Sequence, residues 1–242
     1  MLAAYETQTR RLLQNPAAST TLYIKSDIDA WINLARSQLA GEGECVRNYA
    51  TLQLTAGTNK YNFTDIVLSA PSNGVQGVFN IRQSLVGLGG GNVWMHSRSF
   101  PWFTLYALNE IVPVTGLPKE WSQFGQGVTG SIFVYPTPDQ DYVLSLDTVC
   151  YPIDLVDDTT AEAIPYPWTD CVPFFAAYYA LLSAQRIQDA QAMFERYSMF
   201  MQRARQMSNP DVLPGNFMQT PDPTRANKLG VRPPRPSGGG QQ

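Results

Sequence analysis

The spacing of apolar residues changes period twice along this chain of 242 residues, and that double switch limits the folds open to it more than any other feature. Ile28, Trp31, Ile32, Ala35 and Leu39 recur at helical spacing, as on one face of a helix with 3.6 residues per turn. From Val46 the period is two: Ala50, Leu52 and Leu54 alternate with Tyr49, Thr51 and Gln53, the pattern of a half-buried strand. Helical spacing returns in Phe174, Phe175, Tyr178, Leu181 and Leu182, and again in Ala192, Met193, Tyr197, Phe200, Met201 and Ala204. A chain that runs helix, strands, helix segregates the two kinds of element. The expected fold is therefore α+β: a helical bundle, made of N-terminal helices and a C-terminal helical pair, with an inserted antiparallel β-sandwich or barrel and an extended C-terminal tail.

Local signals sharpen this outline. A weakly amphipathic helix is expected over 2–15, stopping near Asn15-Pro16. Ser26 with Asp29 reads as a capping box and Gly41 as a left-handed stop, giving a helix over 27–40. Ala56-Gly57-Thr58 turns the first strand into Lys60–Phe63, a hairpin. Further strand-like runs cover 77–86, 92–97, 119–124, 131–135 and 142–151, separated by Gly, Pro, Asn and Asp. After an acidic, proline-bearing loop over 152–168, Thr169 or Asp170 can cap a helix with Pro173 in its first turn. From there to Met207 the pattern is either an antiparallel pair, with a tight turn near Arg186–Asp189, or one long helix; the pair is favoured because helices beyond about 25 residues are uncommon. Trp31 and the Phe174, Tyr178, Leu182 face are expected to share one core. The boundaries are 1–45 for the N-terminal helices, 46–151 for the β domain, 152–207 for the acidic loop and helical pair, and 208–242 for the tail.

Charged residues make up only 15% of the chain, against about 25% in ordinary soluble domains, which suggests a surface covered in part by other protein. The net charge of -3 argues against a phosphate-gripping surface. Three cysteines, Cys45, Cys150 and Cys171, without CxxC spacing indicate neither a disulfide framework nor a zinc site and read as small buried hydrophobes. The N-terminal residues carry no secretory pattern, and the longest apolar stretch, 172–184, falls short of the roughly 18 residues that span a bilayer. A soluble protein of a reducing compartment is expected, with no membrane partner, and Asn62-Phe-Thr64 is then a coincidental glycosylation match.

Signals for chemistry are sparse. His96 is the single histidine, and no nucleophile elbow accompanies it. Gly87-Leu88-Gly89-Gly90-Gly91 lacks the Lys-Ser/Thr of a phosphate loop and lies between strands, so it reads as a flexible hairpin tip. Asp154, Asp157, Asp158 and Glu162, with Tyr166 and Trp168 nearby, are the candidates for paired carboxylates; the alternative is a solvated loop leading into a helix. Trp102, Phe103, Tyr106, Trp121 and Trp168 are either core or interface anchors. No catalytic residue, metal site or cofactor is assigned.

The last 35 residues cannot build a core: Pro210, Pro214, Pro221, Pro223, Pro233, Pro234 and Pro236 alternate with Gly, Asn and Arg up to Gly238-Gly239-Gly240. Extended at about 3.1 Å per residue, such a segment reaches on the order of 100 Å. Arg225, Lys228, Arg232, Pro233, Pro234 and Arg235 are its candidate partner-binding residues.

Four stretches, 28–40, 50–61, 130–142 and 165–182, in that order, resemble the head-to-tail adaptor (connector) proteins of short-tailed bacteriophages. The resemblance implies a virion structural protein, made in the bacterial host cytoplasm. It further implies a homo-oligomeric ring, commonly dodecameric, between the portal protein and the tail nozzle protein, with DNA passing through its centre during ejection without specific binding. Two other readings compete: a cell-wall (peptidoglycan) hydrolase using the 154–162 carboxylates, and a carbohydrate-binding tail component displaying Trp94, Trp102 or Trp121. The proline-rich tail favours the adaptor, since neither alternative needs it.

Overall fold

The start of α1 (Leu2–Leu12) is met by a carboxylate from far along the chain. Asp158 accepts hydrogen bonds from the Met1 amino group at 2.8 Å and from the Ala3 amide at 2.9 Å, satisfying first-turn donors that α1 has no cap of its own to meet. The computed structural model describes residues 1–15, 22–69, 74–88, 91–107 and 114–207. The candidate tail residues 225–235 lie outside the described residues, as do Gly89 and Gly90 of the glycine run.

Helix α2 (Lys25–Gly43) is longer at both ends than its sequence signals suggest. Ser26 lies inside the helix and makes no cap; Asp29 instead pairs with Lys25 at 3.2 Å, and Lys25 also pairs with Glu6 of α1. Gly41 does not stop it. The helix continues to a left-handed Glu44 because its last turn is held from outside. A Cβ on Gly43 would meet the Trp168 ring at 2.6 Å, Tyr197 donates to the Glu42 carboxylate at 3.0 Å, and Arg205 donates to the Glu42 carbonyl at 2.7 Å.

Among the described residues nine strands follow: β1 (Arg47–Leu54), β2 (Lys60–Asn62), β3 (Val67–Leu68), β4 (Val75–Leu88), β5 (Gly91–Trp94), β6 (His96–Ser97), β7 (Glu120–Phe124), β8 (Ser131–Tyr135) and β9 (Tyr142–Pro152). They form two sheets, in the orders β3-β1-β9-β4-β5 and β2-β8-β7-β6. The expected hairpin between β1 and β2 does not exist. β1 pairs along its whole length with β9, from Arg47↔Val149 to Leu54↔Tyr142, and β2 joins β8 in the other sheet. The crossing turn is pinned to the 138–141 segment: Ala56 donates to Asp141 at 3.0 Å and Gly57, with φ +78°, donates to the Pro138 carbonyl. The run 92–97 likewise splits at Met95 between β5 in one sheet and β6 in the other, and β6 pairs parallel with β7, which departs from an all-antiparallel sandwich. Inner residues of both sheets, among them Leu52, Leu144, Val86, Ile132 and Val134, share one core with the helices. The arrangement is thus two sheets and the helices around one core, an α+β fold.

Between β6 and β7 a short helical turn, α3 (Phe100–Trp102), runs into a π-helical turn over 103–107. It lays Phe100 on Phe124 and Phe133, and Phe103 on Phe133. Phe103, Trp121 and Trp168 are core residues and Trp102 is half-buried.

The C-terminal helices are a pair. α4 (Val172–Ser183) is entered from a 3-10 turn over Trp168–Cys171, so neither Thr169 nor Asp170 caps it. A turn with left-handed Gln185 leads to α5 (Ile187–Met207). Phe174 stacks on Phe200 at 4.9 Å, Phe175 meets Tyr197 at 4.5 Å and Tyr178 meets Phe194 at 5.3 Å, rungs that step in opposite directions and make the pair antiparallel. The core-facing side of α4 is not Phe174, Tyr178 and Leu182 but Phe175, Ala176, Ala177, Ala180 and Leu181; the small residues let α2 approach closely. Trp31 is only half-buried, edge-on to Tyr23 at 6.4 Å. Residues 1–205 form one compact unit.

Candidate interaction surfaces

The polar cluster around Arg36 is an internal latch rather than a catalytic site. Arg36 sits on the core face of α2 and is 0% exposed. Its Nε and Nη2 donate to both oxygens of Glu162 at 2.8–3.2 Å, and Nη1 donates to Asn33 and to the Ile153 carbonyl at 2.7 Å. Asn33 in turn accepts from the Leu155 amide and donates to its carbonyl. Two residues of α2 therefore hold the 153–162 connection at both ends, and Glu162 is no solvated loop residue. Burial, with the Glu162 carboxylate beside it, pushes the Tyr5 phenol well up. A cation within the apolar stripe of Ile32, Ala35 and Leu39 was the available sequence signal: a charge on a core face implies a buried partner.

Two of the other candidate carboxylates are also spoken for. Asp157 closes a turn by accepting from Thr159 and Thr160, bonds that hold its carboxyl below the usual range, and Asp158 is lowered by the N-terminal amine. Asp154 is exposed. No His/Cys/Asp/Glu group suited to a metal occurs among the described residues. The three thiols are free; burial pushes Cys45 and Cys171 up to about 12 and raises Cys150. Cys45 is half-buried, the other two buried. An open cleft of about 590 Å³ lies beside β6 and β7, lined by Ser97, Ser99, Asn80, Gln123 and Arg98 among others, with no carboxylate in its wall.

What the molecule does present is uncharged surface. Register carries one row of side chains across all five strands of the larger sheet: Val67, Thr51, Ser145, Leu85 and Trp94 lie side by side on its outer face. Its ends are open, Val67 being 65% and Trp94 56% exposed, and Val143 stands in the next row. The charge pair on this face, Arg47–Asp147, stands toward the opposite end. β4 and β5 pair out to Leu88↔Gly91, so the 87–91 run connects these two strands at the uncharged end.

The second surface is on α5. Ala190, Tyr197 and Ala204 are buried at seven-residue intervals, while Ile187, Phe194 and Met201 form a parallel column beside them, with Ile187 70% exposed. The third is a groove of about 220 Å³ between α1 and α4, walled by Leu12, Pro173 and Phe174 with Gln8 and Arg11 at its rim. Sequence reasoning missed it because each wall comes from a different helix.

Surfaces that are apolar and uncharged suit assembly. The family model of the SU10 adaptor protein matches residues 3–222. The chain belongs to the SU10 adaptor protein family. It is a structural adaptor of a bacteriophage virion, the class to which its four motif stretches point, and joins other virion components. No curated protein matches the chain. The family match runs past α5 into the proline-rich segment, ending at residue 222 before the first of the tail's cations, Arg225. No described helix is long and apolar enough to cross a membrane.

Proposed function

We propose that this SU10-family adaptor assembles as a ring, commonly dodecameric in proteins of this kind, joining the portal protein to the tail nozzle protein and forming part of the DNA conduit. The family match over 3–222 carries the reading. Supporting it are the uncharged row on the outer sheet face and the exposed Ile187 at the start of α5, both suited to contacts between copies. A net charge of -3 fits a conduit that lets DNA slide without holding it. The protein acts without catalysis or cofactor. It is made in the host cytoplasm and works at the head-to-tail interface. The 87–91 run faces the nozzle, and Arg225, Lys228, Arg232 and Arg235, spaced by Pro233 and Pro234, pair with acidic groups on a neighbouring copy or the portal. The helical elements of 1–45 and 152–207 form the assembly core, 46–151 the projecting sandwich and 208–242 the clamp.

Native mass measurement of the full chain, alone and with its portal, tests this. Closed oligomers, or oligomers that form on the portal, are expected; a chain that stays monomeric in both overturns the reading. Removing 209–242 is expected to weaken portal assembly, and undiminished affinity would remove the tail from the mechanism.

A further inference from the structure

The groove between α1 and α4 has a ligand encoded in the same chain. Its walls are Leu12, Pro173 and Phe174, and the Phe174 ring is fixed by its stack on Phe200. At its rim stands Arg11, exposed in the last turn of α1 and without an ion-pair partner among the described residues. Aromatic and proline walls of this kind accept extended proline-bearing segments, whose prolines reduce the entropy lost on docking.

The segment after α5 has the complementary chemistry. Residues 208–224 carry two acids, Asp211 and Asp222, and no cation, whereas every cation of the tail comes later. Pro210-Asp211-Val212-Leu213-Pro214 sets one carboxylate beside two apolar side chains between two prolines. This stretch also falls within the family match, so it belongs to the family's common plan and is no appended linker.

We propose that Pro210–Pro214 of one copy docks into the α1–α4 groove of the neighbouring copy, with Asp211 opposite Arg11 and Val212 and Leu213 against Leu12 and Phe174. The inference rests on the ring reading and names one of its contacts. A groove on one side of the chain and its ligand on another make a heterologous contact, the kind that closes rings. Seven residues fully extended span at most about 25 Å, so the proposal requires the neighbour's groove to come within about 25 Å of Met207.

The test uses the full chain with Leu213 replaced by the photocross-linker p-benzoylphenylalanine, mixed as isotopically heavy and light copies before irradiation. Heavy–light cross-links to residues 8–12 or 173–174 are expected. Arg11→Glu should lower their yield about two- to fivefold, as loss of an exposed ion pair permits, and Arg11→Glu with Asp211→Arg should restore it. Cross-links confined to single copies, cross-links mapping elsewhere, no cross-links, or a yield indifferent to Arg11 each overturn the proposal. Native mass measurement of the same samples, alone and with the portal, separates the two readings: oligomers without groove cross-links defeat this contact and leave the ring, whereas a chain that stays monomeric in both defeats the ring itself.

Discussion

Helices α2 and α5 are of similar length, 19 and 21 residues, and both are amphipathic, yet they are used differently. α2 is enclosed by α1, α4 and β9, and its apolar stripe Ile28, Ile32, Ala35 and Leu39 is wholly buried, along with a cation. α5 buries one residue in seven and leaves the adjoining column only partly covered, with Ile187 open and Phe194 half so. A stripe only as wide as its neighbours can cover belongs to folding; a wider one has surface left over for another molecule.

The comparison breaks most visibly at the latch. Glu162→Ala leaves Arg36 charged and unpaired in the core and is expected to cost about 3–5 kcal/mol, read from the denaturation midpoint. Adding Arg36→Leu should recover most of that loss; a midpoint unmoved by Glu162→Ala would show that α2 is not held as described. Next in size is Ala177→Leu, at the close contact of α4 with the core, where overpacking should cost about 1–3 kcal/mol. The same change at Ala192, exposed on α5, should stay within about 0.5 kcal/mol, and equal losses at both sites would erase the contrast.

Ile187→Ser should also leave stability within about 0.5 kcal/mol while weakening self-association in native mass spectra. Unchanged association would mean that the α5 column is not a contact. The smallest effect is expected at Asp158, exposed but hydrogen-bonded to the N-terminal amine. Its folded pKa is depressed, so its contribution is present above the ordinary carboxylate range near 4 and disappears as pH falls through the lower folded value. Asp158→Asn should therefore reduce the melting temperature slightly at pH 7 and not at pH 2; a larger loss at low pH would contradict the assignment.

Much of this architecture was legible because period is a local property. The alternation of Ala50, Leu52 and Leu54, the helical spacing around Ile32, and the turn before α5 are all written within short windows. Partners are not. Nothing near Gly57 says that β2 leaves β1 for β8, since that depends on an eight-residue ladder with β9 nearly a hundred residues away. Glu162 looked like a surface acid because its partner Arg36 lies 126 residues earlier, and the groove at Leu12 and Phe174 exists only where two helices meet.

By itself, then, the sequence determined the kinds of element, their order and the paucity of charge, because backbone preference and hydrophobic period act over a few residues. Only the tertiary structure decided which strands pair, which charge is buried, how far α2 runs past Gly41, and which apolar faces remain uncovered. Those outcomes turn on contacts between segments distant in the chain, where a ring against Gly43 or a carboxylate against Arg36 outweighs any local signal.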